Sequence, residues 1–188
     1  MNTPALYDDC AYTLLSAEEI SAIVNRLAAE IQATYENSAR RLVMVVILKG
    51  SMPFAADLMK RLTLPIELEF MKVSSYGAGT KSSGEIKISL DLNRDDLQDL
   101  DLLVVEDIID SGRTLSRLTK LLQNRNAHSV RTCTLLDKPS RREVDFVPDF
   151  CGAVIPDEFV IGYGLDYNEK YRNLPFVGVL KREIYEKK

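Results

Sequence analysis

The sequence predicts an α/β domain built on a twisted, mostly parallel sheet flanked by helices, and three observations carry that expectation. Strand-length apolar runs recur, such as Arg41–Leu48 and Leu102–Val105, and continuous runs of this length suit strands buried on both faces. Helical periodicity alternates with these runs, which implies parallel strands with helices covering the sheet. Three chemically rich stretches, residues 49–51, 106–114 and 137–138, follow strands directly, where open α/β sheets bind their ligands.

The elements follow in order. Ser16-Ala-Glu-Glu19 is a capping box, a Ser with a Glu three residues on. Behind it Ile20, Ile23, Val24, Leu27, Ala28 and Ile31 keep the i, i+3, i+4, i+7 spacing of an amphipathic helix over residues 17–35. Arg41–Leu48 is the first buried strand, and Lys49-Gly50-Ser51 breaks it. Pro53 suits the first turn of a helix over Phe54–Leu62. Pro65 opens a strand through Val73, and the Gly- and Ser-rich stretch Ser74–Gly84 reads as a long loop of the kind that serves as a lid. Glu85–Leu90 alternates as a half-exposed strand, and Asp91–Asp101, with five Asp and one Arg, reads as a solvated acidic connection. Leu102–Val105 is a buried strand, followed after the turn 110–114 by a helix with Leu115, Leu118, Leu121 and Leu122 on one face. Ser129–Leu136, Cys151–Ile155, Phe159–Tyr163 and Phe176–Leu180 complete the strands.

With 188 residues, 46% apolar and 28% charged, the chain fits one soluble domain spanning 1–188. The net charge of −4 gives no cationic footprint for nucleic acid. The longest apolar run, Leu42–Leu48, is far too short to span a bilayer, and Met1–Asp9 lacks the pattern of a signal peptide, so neither a nucleic-acid nor a membrane partner is expected. Cys10, Cys133 and Cys151 are odd in number and widely spaced, which argues against zinc or dithiol chemistry and for the reducing cytoplasm. Cys133 and Cys151 read as buried thiols. His128, the single histidine, reads as a surface loop residue and excludes a Ser-His-Asp triad. Gly77-Ala-Gly79-Thr-Lys81-Ser82 fails the spacing of a phosphate loop, and Gly162-Tyr-Gly164 lacks the third Gly of a dinucleotide fingerprint.

The chemistry concentrates in Val104-Val105-Glu106-Asp107-Ile108-Ile109-Asp110-Ser111-Gly112-Arg113-Thr114. Successive side chains of an extended chain point to opposite faces, so Glu106 and Asp107 cannot share one core. The turn that follows offers helix-start N–H groups with Ser and Thr hydroxyls, an anion cradle that Gly112 lets a ligand approach. Acids beside an anion site suit a divalent cation or sugar hydroxyls, and a phosphorylated sugar bearing pyrophosphate fits the whole string.

This string resembles the signature of the type I phosphoribosyltransferases, which bind 5-phosphoribosyl 1-diphosphate (PRPP). Leu48-Lys49-Gly50, Ser74–Gly77, Leu135–Arg142, Ile155–Val160 and Gly164–Pro175 resemble the hypoxanthine-guanine branch of that family, its bacterial form above all, over about Leu15 to Tyr185. The resemblance implies a core over about 36–150 of roughly five strands, with a small hood from about 1–15 and 151–188 over the base site. It implies Mg²⁺-dependent transfer of the phosphoribosyl group from PRPP to hypoxanthine or guanine, releasing pyrophosphate through an oxocarbenium-like transition state. Homodimers or homotetramers are implied as well.

By the same resemblance Asp110 is the proton acceptor at purine N7, where capping alone would explain an isolated Asp. Asp110, Ser111, Gly112, Arg113 and Thr114 hold the 5′-phosphate. Glu106 and Asp107 bind the ribose hydroxyls, directly or through Mg²⁺. Lys49, Gly50 and Arg172 hold pyrophosphate, with the Leu48–Lys49 peptide cis. Ser75 and Tyr76 belong to a closing loop. Lys138 donates to the 6-oxo group, Phe159 stacks on the purine, Val160 offers backbone groups, and Asp166 borders the base and holds Mg²⁺. Taken alone, Lys138, Asp166 and Arg172 are surface charges and Phe159 is a core aromatic. Ser111 stands where Thr is common, Arg113 fills a variable position, and Cys151–Val154 departs from the usual run beside the base pocket. Two alternatives remain: a PRPP- or nucleotide-binding regulator of the same fold, and a salvage enzyme preferring xanthine.

Overall fold

Alternation along the strands sets the layers. In β2 (Arg41–Ile47), Leu42, Met44 and Val46 enter one hydrophobic cluster while Val43, Val45 and Ile47 enter another. β5 (Leu100–Ile109) does the same, with Leu103 and Val105 on the first side and Leu102 and Val104 on the second. A sheet apolar on both faces must be covered on both. The structure, a computed structural model, describes residues 5–75 and 86–186.

The first face is covered by α2 (Ala17–Tyr35) and α3 (Met52–Met59), the second by α4 (Arg113–Asn124). The capping box of α2 is complete: Glu19 N–H donates to Ser16 Oγ at 3.2 Å, and Ser16 N–H donates to Glu19 Oε2 at 2.8 Å. The remaining strands are β3 (Ile66–Ser75), β4 (Ile86–Leu90), β6 (Ser129–Asp137) and β7 (Phe150–Val154). The large sheet has six strands, in the order β4-β3-β2-β5-β6-β7, and all pairs are parallel except β3–β4 at one edge. The chain moves outward from β2 to β3 in one direction and from β5 to β6 in the other, so β2 and β5 flank the switch point where such sheets bind ligands. A second sheet, β1 (Cys10–Leu15), β9 (Val177–Leu180) and β8 (Val160–Ile161), is antiparallel and joins the two ends of the chain as a hood. Two single-turn helices, α1 (Ala5–Asp8) and α5 (Arg182–Tyr185), flank it.

Four expectations are corrected. Residues 151–154 belong to the large sheet, because β7 pairs with β6 from Cys133↔Phe150 to Asp137↔Val154, and the C-terminal part of the hood begins after them. Asp91–Asp101 is packed: Leu92 and Leu97 are buried, Arg94 bonds Glu67 and Asp96, Asp91 takes both guanidinium nitrogens of Arg125 at 2.7 Å, and buried Asp101 accepts from Ser38 at 2.8 Å. Partners far along the chain convert those charges into a bonded network. β5 runs through Glu106–Ile109 instead of stopping at Val105, since its pairing with β6 continues to Ile109↔Asp137. Cys151 is half-buried, whereas Cys133 is buried.

Candidate functional site

The ends of β5 and β6 and the hood line a cavity of about 590 Å³. β5 contributes Asp107, Ile108 and Asp110, β6 delivers Lys138, and the hood adds Phe159, Val160 and Asp166. A smaller cavity of about 120 Å³ lies beside it, lined by Glu106, Asp110, Ser111, Gly112 and Thr114. Alternation along β5 separates the two acids: Asp107 faces the large cavity and Glu106 the small one. Among the described residues no group of three or more His, Cys, Asp or Glu side chains is placed to hold a metal ion by itself.

The pair is electrostatically costly. Burial pushes the Glu106 carboxyl well above its usual range, and neighbouring Asp107 adds to the rise. Glu106 Oε2 is buried without a hydrogen-bond partner. Burial likewise raises Asp107 to about 6, against the lowering pull of the Ile108 and Asp107 N–H groups and of Arg172. Buried carboxylates with so few partners are costly to ionise unless a cation or a donor reaches them.

The turn after β5 is open to an anion. Gly112 takes φ 77, a left-handed conformation that side chains rarely adopt, and from there α4 starts. Ser111 Oγ accepts weakly from Arg113 N–H at 3.4 Å, and the first N–H groups of α4 have no earlier turn to bond. The segment after β6 braces this turn: Arg142 Nη1 donates to the Asp110 carbonyl at 2.7 Å, and Glu143 N–H to the Ser111 carbonyl at 3.0 Å. Arg142 also pairs with Asp137.

Lys138 is only 6% exposed. Its Nζ donates to the Glu158 carbonyl at 2.7 Å and lies 3.6 Å from Asp110 Oδ1, which aims its remaining donor capacity into the cavity. Phe159 is 36% exposed, stacks on Tyr185 at 4.9 Å and 24°, and meets Tyr167 edge-on at 5.5 Å. At the end of β2 the Leu48–Lys49 peptide is cis. Gly50 has no room for a side chain, because a Cβ there would overlap Asp107 Oδ2. Lys49 Nζ donates to Glu169 at 3.0 Å, and Arg172 bonds Asp166 Oδ1 at 2.8 Å and the Gly164 carbonyl at 2.8 Å.

Asp110, Lys138, Phe159, Val160, Asp107 and Asp166 thus share one cavity, while Lys49, Gly50 and Arg172 meet beside Asp107 and Asp166. Ser75 ends β3, and Tyr76 lies outside the described residues. Cys151–Val154 does not line the cavity, contrary to expectation, because β7 lies in the sheet and its carbonyls at Cys151 and Gly152 take Arg26. Ile108, Arg141, Arg182 and Tyr185 line the cavity without having been singled out. Ile108 sits inside the signature string and Arg141 inside the run after Lys138, but nothing local marks Arg182 or Tyr185.

A family model described as phosphoribosyl transferase domain matches residues 12–168. The chain is 49% identical over 178 residues to the hypoxanthine-guanine phosphoribosyltransferase of Bacillus subtilis, covering 95% of this chain and 97% of that protein. It is 50% identical over 181 residues to the bifunctional protein TilS/HprT of Listeria monocytogenes, where it spans 96% of its own length but only 28% of that protein. Among solved structures, the hypoxanthine phosphoribosyltransferase of Staphylococcus aureus superposes with a TM-score of 0.92 at 45% identity, with both chains fully covered.

Proposed function

This chain belongs to the phosphoribosyltransferase family, on its hypoxanthine-guanine branch, and from that premise we propose that it salvages purines by moving the 5-phosphoribosyl group of PRPP onto hypoxanthine or guanine. The observation that carries the reading is Lys138, a buried lysine held between the Glu158 carbonyl and Asp110 in the wall of a cavity that also presents Phe159. Lysine offers donors only, so it accepts a 6-oxo group and disfavours the amino group of adenine. The partly exposed ring of Phe159 suits a planar base.

In this reading the C1′–oxygen bond to pyrophosphate breaks and its electron pair leaves with pyrophosphate, while purine N9 bonds C1′. Asp110, at the cavity and tied through its own carbonyl to Arg142, accepts the purine proton at N7. The turn from Asp110 through Ser111, Gly112 and Arg113 to Thr114 seats the 5′-phosphate. Lys49, Gly50 and Arg172 face the pyrophosphate. Glu106 and Asp107 take the ribose hydroxyls. Asp107 and Asp166 line the same cavity, and this donor set, with the raised Asp107, fits Mg²⁺, which prefers one or two carboxylates completed by phosphate oxygens and water. When bound, the ion would neutralise charge on the leaving pyrophosphate. Ser75 and Tyr76 would belong to a loop that keeps water from the activated ribose.

The proposal includes one domain over 1–188, assembly as a homodimer or homotetramer, and work in the reducing cytoplasm. All three cysteines are free thiols, which supports that compartment. No helix among the described residues is long and apolar enough to cross a membrane.

The test is a base panel. The full chain is incubated with PRPP, Mg²⁺ and, separately, hypoxanthine, guanine, xanthine and adenine, and nucleoside monophosphate and pyrophosphate are followed. Turnover with hypoxanthine or guanine and little with adenine supports the proposal. Turnover confined to xanthine, or tight PRPP binding without turnover on any base, refutes it.

A further inference from the structure

Beside the cavity, one carboxylate stands where the assignments above put a diphosphate. Glu169 Oε2 accepts from Lys49 Nζ at 3.0 Å and from Arg172 Nη2 at 3.3 Å, so a single oxygen engages both cations assigned to pyrophosphate. Arg172 keeps two other anchors, Asp166 Oδ1 at 2.8 Å and the Gly164 carbonyl at 2.8 Å, whereas the only ion pair of Lys49 among the described residues is with Glu169. Glu169 is held in place by its backbone: its N–H donates to Asp166 Oδ2 at 2.9 Å, and φ is 51 at Asn168 and 62 at Glu169. Of the five non-glycine residues with positive φ among the described residues, four lie from Tyr163 to Tyr171, so the strained backbone there gathers in this one segment. The two cations also draw the Glu169 carboxyl below its ordinary pKa, Lys49 more than Arg172.

We propose that Glu169 is a built-in counter-anion that holds Lys49 and Arg172 until the diphosphate of the substrate displaces it, and that recaptures them as pyrophosphate leaves. The inference rests on the assignment of Lys49 and Arg172 to pyrophosphate under the proposed function. Side-chain exposure decides whether such an exchange is affordable. Lys49 is 52% exposed, Arg172 27% and the shared Glu169 65%, and ion pairs to so exposed a carboxylate are weak, so the swap costs about a factor of ten in affinity. A buried pair would not yield so readily. Diphosphate, with several oxygens and a higher charge, outcompetes one carboxylate for both cations.

The experiment is calorimetric titration of the full chain with inorganic pyrophosphate and with PRPP, both with Mg²⁺, for the wild type, Glu169→Gln and Glu169→Ala, each also in a Lys49→Met background. Both substitutions at Glu169 are expected to tighten pyrophosphate and PRPP roughly twofold to tenfold, and to slow pyrophosphate dissociation to match. The gain should shrink in the Lys49→Met background, because the competition acts at that lysine. Unchanged or weaker binding on losing Glu169 would overturn the proposal, and so would a gain undiminished without Lys49, which a diffuse field effect would give. A wild type that binds neither ligand would instead overturn the function on which the proposal rests.

Discussion

Replacing Asp107 by Asn should stabilise the ligand-free protein near neutral pH while abolishing turnover. The Asp107 carboxyl is raised from an ordinary 3.8 to about 6, burial being the main cause. A raised carboxyl binds its proton more tightly when folded than when unfolded. The contribution of Asp107 to stability is therefore most favourable below about pH 4, falls as pH rises through the window from about 4 to about 6, and stays reduced above it. At 1.36 kcal/mol per pKa unit the deficit is about 3 kcal/mol at pH 8. Asn carries no charge to desolvate, and its Oδ1 can still accept the Ile108 N–H that Asp107 accepts at 2.8 Å. The expected gain is about 2–3 kcal/mol at pH 8 and none below pH 4, and for a chain of this length that raises Tm by roughly 5–10 °C. Urea unfolding of both proteins in EDTA, at intervals between about pH 4 and 8, reads the effect. The reasoning is refuted if the two stability curves run parallel in pH, or if the variant is the less stable at pH 8.

Three further perturbations probe other parts of the account. Gly50→Ala drives a methyl into Asp107 Oδ2, and should cost about 1–3 kcal/mol on unfolding and most of the turnover; a variant of wild-type stability and rate would contradict the close approach. Lys138→Met removes the donor that reads the 6-oxo group, and should lower kcat/KM for hypoxanthine or guanine roughly tenfold to a hundredfold while narrowing the margin over adenine. An unaltered base preference would remove Lys138 from that role. Ser16→Ala breaks the capping box of α2 and should cost about 1 kcal/mol in urea unfolding with kinetics unchanged at 25 °C; no loss of stability would show that the cap is dispensable.

What could be read from the chain alone tracks how local the physics is. The helix over about 17–35 is legible because its cap at Ser16 and its apolar spacing are both local to it. The split between Glu106 and Asp107 was legible because strand alternation is a property of neighbours. The packing of Asp91–Asp101 is not legible for the opposite reason: Arg94 finds Glu67 and Asp91 finds Arg125, contacts that no window of sequence contains. The apolar character of Cys151–Val154 does not say which sheet the segment joins, and pairing with β6 decides that. Tyr185 is the clearest omission. It stacks on Phe159 from a single-turn helix after β9, and the antiparallel pairing of β8 with β9 brings the two together. Glu169 lay inside a recognised run, but its grip on Lys49, 120 positions away, appears only once β2 ends beside the hood.

The most direct test of the central claim, that the turn after β5 seats a phosphate while Lys138 reads a 6-oxopurine, is a crystal structure of the chain with a purine nucleoside monophosphate. The account predicts the 5′-phosphate against the backbone of residues 110–114, the base beside Phe159 with its oxo group at Lys138 Nζ, and N7 within reach of Asp110. A phosphate bound elsewhere, or a base that leaves Lys138 on the Glu158 carbonyl and Asp110 without a contact, would contradict it.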